Sequence, residues 1–425
     1  VQGESFDYPE VFFEERVHEI RRIHPDPHQI NVAAEKIKAS KQPIIISGGG
    51  VLYSEAEEEL SQFAKKHNIP VTATAMGIGC MTKEESHYIG GIGGLGEKSA
   101  NNLSKETDLA LAIGTKLADF TTGSWANFES ERFQLVSLNA ARFDTTKHLA
   151  TPIVADAKIG LQQLSQALGD WRAPDPWFER AVQERSEWEA HVQKQSGPTN
   201  QEEPSYAHAV GAVYRNADPS DIVVTAAGGL VGEVVQVWKP KQRNTFETEW
   251  GFSCMGYEIS GALGIKMAKP DQDVVVFLGD GSYLLSNSDI YSSVLYDQKL
   301  IIVLCDNGGH MVINRLQLAK GGKEYICNLR AARATNLQFV DFESHAKSMG
   351  ANAETVSSTS ELEAAYHRAK SSDKTYVIVI KTHGYEWLEG SAFWESPTLH
   401  DPITKENKQA LDDFQGGKNK QRKGV

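Results

Sequence analysis

The chain has 425 residues, of which 40% are apolar and 23% are charged, and its formal net charge is −13 at pH 7. A single core rarely grows to this size, so we expect two domains, and the composition is typical of a soluble globular protein. No apolar run is long enough to span a membrane, and the negative charge disfavours nucleic acid as a partner.

The cysteine pattern and the N-terminal residues indicate the cellular location that we expect for the protein. Cys80, Cys254, Cys305 and Cys327 form no CxxC pair and no zinc-ligand pattern, so we expect neither a disulfide framework nor structural zinc. A reducing, cytoplasmic location is therefore expected. Residues 1–27 have neither an initiating Met nor the apolar run of a signal peptide, and we interpret them as a linker whose upstream part is missing.

Residues 28–172 are predicted to form a central α/β domain. The stretch PIIISGGG, which begins at Pro43, predicts a buried strand and a glycine turn, and SEAEEELSQFAKKHN predicts an amphipathic helix after it. Further strand candidates follow at residues 71–74, 109–113, 133–138 and 152–154. Such alternation favours a parallel sheet that is covered on both faces. Residues 173–203 are polar and helical in pattern, and we interpret them as a linker.

A glycine-rich loop from Gly91 to Gly96 matches the GxGxxG pattern of dinucleotide-binding proteins. No clear strand is predicted before it, and no ribose-binding acid follows about twenty residues later. We therefore interpret it as a backbone-packing loop that faces the next domain rather than as a dinucleotide site.

Residues 204–395 predict a second domain of the same kind. Strand candidates lie at residues 222–226, 274–278, 300–305 and 376–380, with helical segments between them. The expected fold is therefore α/β, with two doubly wound parallel-sheet domains in tandem. Residues 396–425 are polar, and we expect an irregular tail.

Two polar turns, GDG and DNGG, follow consecutive strands of this second domain. Because ligands bind beyond the carboxyl ends of parallel strands, both turns can contact one ion. Mg²⁺ prefers hard oxygen ligands, so we predict Asp280, the Asn307 amide oxygen and a backbone carbonyl near Gly309 as its ligands. Gly281 and Ser282 open a helix whose free N–H groups suit a diphosphate. Either turn by itself is more often an ordinary loop.

This pair of turns resembles the binding signature of the acetolactate synthase-like superfamily of thiamine diphosphate (ThDP) enzymes. The resemblance implies ThDP and Mg²⁺ as cofactors. In WGFSCMGYEISGALGIKMA it implies that the Ser253 carbonyl accepts from the coenzyme's 4′-amino group and that Met255 wedges the coenzyme into its bent form. The residues implied to bind the coenzyme are Ala227, Gly228, Gly229, Ser253, Met255, Gly279, Gly281 and Ser282.

The strings ETEWGFSCMGYEISGALGIKMA, CDNGGHMVINRLQ and LNAARFDTTKH look like one family within that superfamily, the trihydroxycyclohexane-1,2-dione hydrolases of myo-inositol catabolism. The resemblance implies net hydrolysis of a carbon–carbon bond that turns a polyhydroxy cyclic dione into 5-deoxy-glucuronate. His310, Glu258 and His383 are the candidates for proton transfer. Asn314 and Arg315 are expected either to bind substrate or to brace their loop, and Glu258 could instead be an exposed helix acid.

The resemblance also implies a partner. The superfamily sets a glutamate from an N-terminal pyrimidine-binding domain against the coenzyme ring, and no domain of about 150 residues precedes this chain. We therefore expect half a site, inactive alone, that a second copy of the intact subunit completes in a homodimer or tetramer. Two alternatives remain: another acetolactate synthase-like enzyme, with FAD, and a fragment that binds ThDP and Mg²⁺ without catalysis.

Overall fold

Two parallel six-stranded sheets organise the chain, which a computed structural model describes from residue 2 to residue 423. The strands of the first sheet are β1 (Pro43–Ser47), β2 (Val71–Ala73), β3 (Tyr88–Gly91), β4 (Leu109–Ile113), β5 (Gln134–Asn139) and β6 (Thr151–Val154). Those of the second are β7 (Ile222–Thr225), β8 (Phe246–Thr248), β9 (Val274–Gly279), β10 (Ile301–Asp306), β11 (Asn352–Val356) and β12 (Tyr376–Lys381). The expected tandem α/β fold is confirmed.

Helices cover both sheets. They are α1 (Pro27–Ala39), α2 (Gly49–Tyr53), α3 (Glu57–His67), α4 (Lys98–Glu106), α5 (Asp119–Thr122), α6 (Arg142–Thr145), α7 (Ala157–Leu168), α8 (Asp175–Gln195), α9 (Tyr206–Asn216), α10 (Leu230–Val237), α11 (Tyr257–Ala268), α12 (Asp280–Leu285), α13 (Ser288–Leu295), α14 (Met311–Ala319), α15 (Phe342–Ser348), α16 (Thr359–Lys370) and α17 (Lys405–Lys420). Short 3-10 helices lie at Glu10–Phe12, Ala75–Gly77 and Leu329–Ala331. No helix in the described part of the chain has the length and apolarity needed to cross a membrane.

The strand order sets where a ligand can bind. The first sheet has the order β3-β2-β1-β4-β5-β6 and the second the order β11-β12-β10-β9-β7-β8. In the first sheet, β2 and β3 lie on one side of β1, and the next strand, β4, lies on its other side. In the second sheet, β8 lies on one side of β7 and the next strand, β9, on the other. At such a reversal the connections diverge and leave a crevice beyond the strand ends.

The central strands are buried because helices cover both faces of each sheet. Every residue of β1 and of β4 is buried, as are the first five residues of β9 and of β10. This explains why these strands appear in the sequence as continuous apolar runs rather than as alternating patterns. One apolar cluster contains Ile45 of the first sheet and Val223 of the second, so the two domains share a core.

The segments that flank the first domain are attached to it. Arg22, before α1, donates a hydrogen bond of 3.0 Å to Asp156. The helical pattern in the segment that we interpreted as a linker corresponds to α8, whose Trp177 is buried and donates 2.8 Å to the carbonyl of Pro43. The strand β3 directly precedes the GxGxxG loop, so the expectation that no strand lies there was wrong.

The expectation of an irregular tail after residue 395 was also wrong, because this part contains α17. Thr404 caps the helix by accepting from the N–H of Asn407, and the Asn407 side chain donates 3.1 Å to the carbonyl of Lys320. At the other end, Lys420 forms an ion pair of 3.2 Å with Glu129 of the first domain. The tail therefore contacts both domains.

Candidate active site

A cavity of about 540 Å³ lies beyond the carboxyl ends of β7, β9 and β10, at the reversal of strand order. Its volume falls in the usual range for small-molecule sites, about 300–1,000 Å³. Most residues that the sequence singled out lie on its wall: Ala227, Gly228, Gly229, Ser253, Met255, Gly279, Asp280, Gly281, Ser282, Asn307, Gly309, His310 and Arg315. The fold thus brings together three separate turns and the segment before α11.

The two polar turns meet because β9 and β10 are paired in parallel, with Gly279 opposite Cys305. Asp280 is only 5% exposed, and its Oδ2 accepts 2.7 Å from the Gly309 N–H. Burial, with the nearby charge of Asp306, raises the pKa of Asp280 to about 7. Burial and the Asp306 charge thus disfavour the charged form of Asp280, and a cation bound next to the carboxylate would stabilise that form.

Asn307 presents an unsatisfied acceptor in the same place. Its Nδ2 donates 2.6 Å to the hydroxyl of Tyr206, which leaves Oδ1 buried and without a hydrogen-bond partner among residues 2–423. Such an atom costs roughly 1–3 kcal/mol. The carboxylate of Asp280 and this amide oxygen are the hard donors that Mg²⁺ prefers, so the residues fit that ion. In the described chain, no group of three or more His, Cys, Asp or Glu side chains could hold a metal.

Glycines let side chains pack directly against the backbone of these turns. A Cβ on Gly229 would lie 2.0 Å from Cζ3 of Trp387, and one on Gly281 would lie 2.8 Å from the His310 ring. Gly228 has φ +80° and open space beside it. Ala227 was implied to bind the coenzyme, but its N–H donates 3.2 Å to Oε1 of Glu258.

The segment before α11 has a fixed and unusual backbone. Ser253 has φ +53°, which a non-glycine residue rarely adopts. The carboxylate of Glu249 accepts 2.8 Å from the Phe252 N–H and 2.7 Å from the Cys254 N–H. These two bonds hold the turn that sets Ser253 and Met255 at the cavity wall.

Three predicted residues do not line this cavity. Glu258 is fully buried, which excludes an exposed helix acid, and both its oxygens accept backbone N–H groups. His383 follows β12, and its Nδ1 accepts 3.2 Å from the Tyr385 N–H. Asn314, in α14, is buried, and its amide donates 2.9 Å to Glu324.

His310 and Arg315 are the charged or titratable candidates that do face it. His310 precedes α14, with its ring beside Gly281. The Arg315 guanidinium lies 5.1 Å over the ring of Trp387 and makes no hydrogen bond or ion pair to the residues that the structure describes. Burial lowers the pKa of Arg315, and Glu233 opposes this. Its N–H donors are thus available to a ligand.

An aromatic wall that the sequence did not reveal closes the opposite side. Phe120 lies 5.5 Å from Trp250 and 5.1 Å from Trp394, ring centre to ring centre. These residues come from three distant segments, and all line the cavity. A Cβ on Gly93 would lie 2.1 Å from the Phe120 carbonyl oxygen, which agrees with a backbone-packing role for the GxGxxG loop. Of these three residues, Trp250 lies in the string WGFSCMGYEISGALGIKMA, which the sequence had singled out for the coenzyme.

Two family models match the chain. Residues 30–164 match the family described as thiamine pyrophosphate enzyme, central domain. Residues 226–380 match thiamine pyrophosphate enzyme, C-terminal TPP binding domain. The matched ranges fall on the two sheets, and the second contains both polar turns.

Several curated relatives carry the name 3D-(3,5/4)-trihydroxycyclohexane-1,2-dione hydrolase. The one from Geobacillus thermodenitrificans is 33% identical over 96% of this chain and 68% of its own length. The relative from Halalkalibacterium halodurans is 34% identical over 91% of this chain and 65% of its own length. The relative from Lacticaseibacillus casei is 32% identical over 98% of this chain and 68% of its own length. The chain therefore spans about two thirds of the length of these relatives.

Proposed function

The chain belongs to the thiamine pyrophosphate enzymes, among the 3D-(3,5/4)-trihydroxycyclohexane-1,2-dione hydrolases, and from this membership we propose the activity of the protein that carries it. That protein hydrolyses a carbon–carbon bond of a polyhydroxylated cyclic 1,2-dione, with ThDP and Mg²⁺ as cofactors. One observation carries the proposal: Oδ1 of Asn307 is buried without a partner among residues 2–423, and Asn307 lines the same cavity as Asp280, which accepts a hydrogen bond from the Gly309 N–H.

The metal and the diphosphate share this edge of the sheet. Asp280, Asn307 and the backbone at Gly309 would hold Mg²⁺, whose remaining ligands would be diphosphate oxygens and water. Next to them, the backbone N–H groups of the glycine turn after β7 and of Gly281 and Ser282 would bind the diphosphate.

The pyrimidine end would contact the segment before α11. The carbonyl of Ser253 would accept from the 4′-amino group, and the Met255 side chain, which reaches the space beside Gly281, would support the bent coenzyme. The remaining contact, a carboxylate at the ring nitrogen, is proposed to come from a second copy of the intact subunit, in a homodimer or tetramer.

When bound, ThDP supplies a nucleophilic carbon and an electron sink for cleaving a bond next to a carbonyl. Arg315 would donate hydrogen bonds to the dione oxygens and hold them toward that carbon. His310, beside Gly281, would move protons between the substrate oxygens and water. His383 and Glu258 do not line the cavity, so we propose His310 first. The aromatic wall around Phe120 would pack against the substrate ring and exclude water.

The four cysteines are all free, in line with a reducing, cytoplasmic location, which we propose as well.

The proposal is tested by supplying the cyclic dione to the protein with ThDP and Mg²⁺ and following the carboxylic acid product by NMR. We expect ring opening that requires both cofactors and is lost in Arg315→Ala. Turnover of pyruvate instead of the dione would point to an acetolactate synthase-like enzyme, and coenzyme binding without turnover of either substrate would leave a binding fragment.

A further inference from the structure

Glu258 is a buried carboxylate that joins separate parts of the coenzyme site. It lies in the first turn of α11 and is 0% exposed. Its Oε1 accepts 3.2 Å from the Ala227 N–H, and its Oε2 accepts 2.8 Å from the Gly256 N–H. The hydroxyl of Ser282 also favours the charged form of this carboxylate. One side chain is thus in contact with the glycine turn after β7, the segment before α11 and the first turn of α12.

Each of these segments contributes to the wall of the cavity. Ala227 begins the glycine turn after β7, and Ser282 lies in the first turn of α12, where the diphosphate is proposed to bind. Gly256 follows Met255, which is proposed to support the pyrimidine end, and its φ of +96° is one that glycine adopts without strain. The contacts of Glu258 therefore link the two ends of the proposed coenzyme site.

We propose that Glu258 is a positioning residue that holds the diphosphate turn and the pyrimidine-contacting segment in one fixed relation, so that both ends of the coenzyme bind together. This inference rests on the proposed coenzyme site. It replaces proton transfer as the role of Glu258, because the carboxylate makes its hydrogen bonds to backbone N–H groups and does not line the cavity.

A carboxylate suits this position because it has two acceptor oxygens and no donor. Glutamine has the same shape but can accept from only one of the two N–H groups, and its NH₂ group then meets the other donor. Burial raises the pKa of Glu258, while the bonds from Ala227 and Gly256 oppose that shift. Pre-organised loops bind a ligand more tightly because less order is lost on binding.

The test compares Glu258→Gln with Glu247→Gln by calorimetric titration of the chain with ThDP in Mg²⁺ buffer. Glu247 lies on the adjacent strand β8, is half-buried, and its carboxylate makes no hydrogen bond within residues 2–423. We expect Glu258→Gln to weaken ThDP binding at least about tenfold, equivalent to 1.4 kcal/mol, and Glu247→Gln to change it less than about twofold.

Hydrogen exchange separates local positioning from general loss of stability. In Glu258→Gln we expect faster exchange of the Ala227 and Gly256 amides, with the amides of β9 and β10 still protected. In the active protein, the limbs of the kcat pH profile should keep their positions while kcat falls.

The outcomes are distinguishable. If wild-type protein binds ThDP and Glu258→Gln binds it equally well, while kcat falls and one limb of the pH profile disappears, Glu258 is an acid–base catalyst and the inference is wrong. If exchange rises throughout β9 and β10, the residue is merely structural and the inference is equally wrong. If the wild-type chain binds no ThDP, the proposed coenzyme site itself fails.

Discussion

The carboxyl ends of the two sheets can be compared directly, because each carries a glycine-rich turn where the strand order reverses. In the first sheet, the Gly48 N–H donates 2.8 Å to Ile113 and the Gly50 N–H donates 2.9 Å to Gly114. A Cβ on Gly50 would lie 2.6 Å from Cα of Gly114. The glycines there let two backbone turns interlock, and the polar groups satisfy one another.

In the second sheet the same kind of turn opens into a cavity. Gly228 has open space beside it, and Oδ1 of Asn307 is buried without a partner in the described chain. The two sheets share a fold, so the fold does not decide which of them carries a site. What differs is whether the polar groups at the strand ends are satisfied by the protein itself or left for a ligand.

The largest effect is expected where the second sheet provides its carboxylate. Asp280→Ala removes the only carboxylate proposed for the cation and leaves the diphosphate charge without its counterion. We expect ThDP affinity to fall at least about 100-fold, measured by calorimetry in Mg²⁺ buffer, with an unchanged circular dichroism spectrum. Affinity within a few-fold of wild type would remove Asp280 from the metal site.

A matched pair of glycine substitutions tests the comparison itself. Gly281→Ala places a Cβ against the tips of His310 and Met255, so we expect ThDP affinity to fall roughly tenfold with little change in Tm. Gly50→Ala places a Cβ against backbone, and we expect the reverse: a Tm lower by several degrees, about 1–3 kcal/mol, and unchanged affinity. The opposite pattern would contradict the assignment of the two turns.

The stability of the coenzyme-free protein should depend on Asp280 in a pH-dependent way. The pKa of this carboxyl is raised to about 7 in the folded state, so its stabilising contribution is full below its ordinary value of 3.8 and is lost as pH rises through about 7. Asp280→Asn should therefore raise the free energy of unfolding by roughly 1–3 kcal/mol at pH 8, but not at pH 4. Urea unfolding at both pH values measures this, and an equal effect at both would contradict it.

The smallest effect is expected at the surface contact between the tail and the first domain. Lys420 and Glu129 are both partly exposed, so Lys420→Ala should change stability by less than about 0.5 kcal/mol and leave ThDP affinity unchanged. A clear loss of affinity in calorimetry would show that this end of the tail supports the cavity more than its exposed position suggests.

What the sequence predicted well was local. Asp280 and Asn307 each directly follow a continuous apolar strand, and two adjacent parallel strands end at the same edge, so their proximity follows from chain order alone. The aromatic wall could not be found in this way, because Phe120, Trp250 and Trp394 lie far apart in the chain and meet only through tertiary packing.

The burial of polar side chains was the other property that could not be predicted from the sequence. An acid in the first turn of a helix is usually exposed, and the backbone N–H groups of Ala227 and Gly256 offset part of the cost of burying Glu258. The helix α17 was missed because its sequence is largely polar; its order depends on contacts such as that of Asn407 with the carbonyl of Lys320.

The most direct test of the coenzyme site is a crystal structure of the chain grown with ThDP and Mn²⁺ in place of Mg²⁺. We predict an anomalous difference peak within roughly 2.0–2.3 Å of one Asp280 oxygen and of Oδ1 of Asn307, with the diphosphate beside Gly281. A cation bound elsewhere, or a diphosphate bound with Oδ1 of Asn307 still unpartnered, would contradict the account.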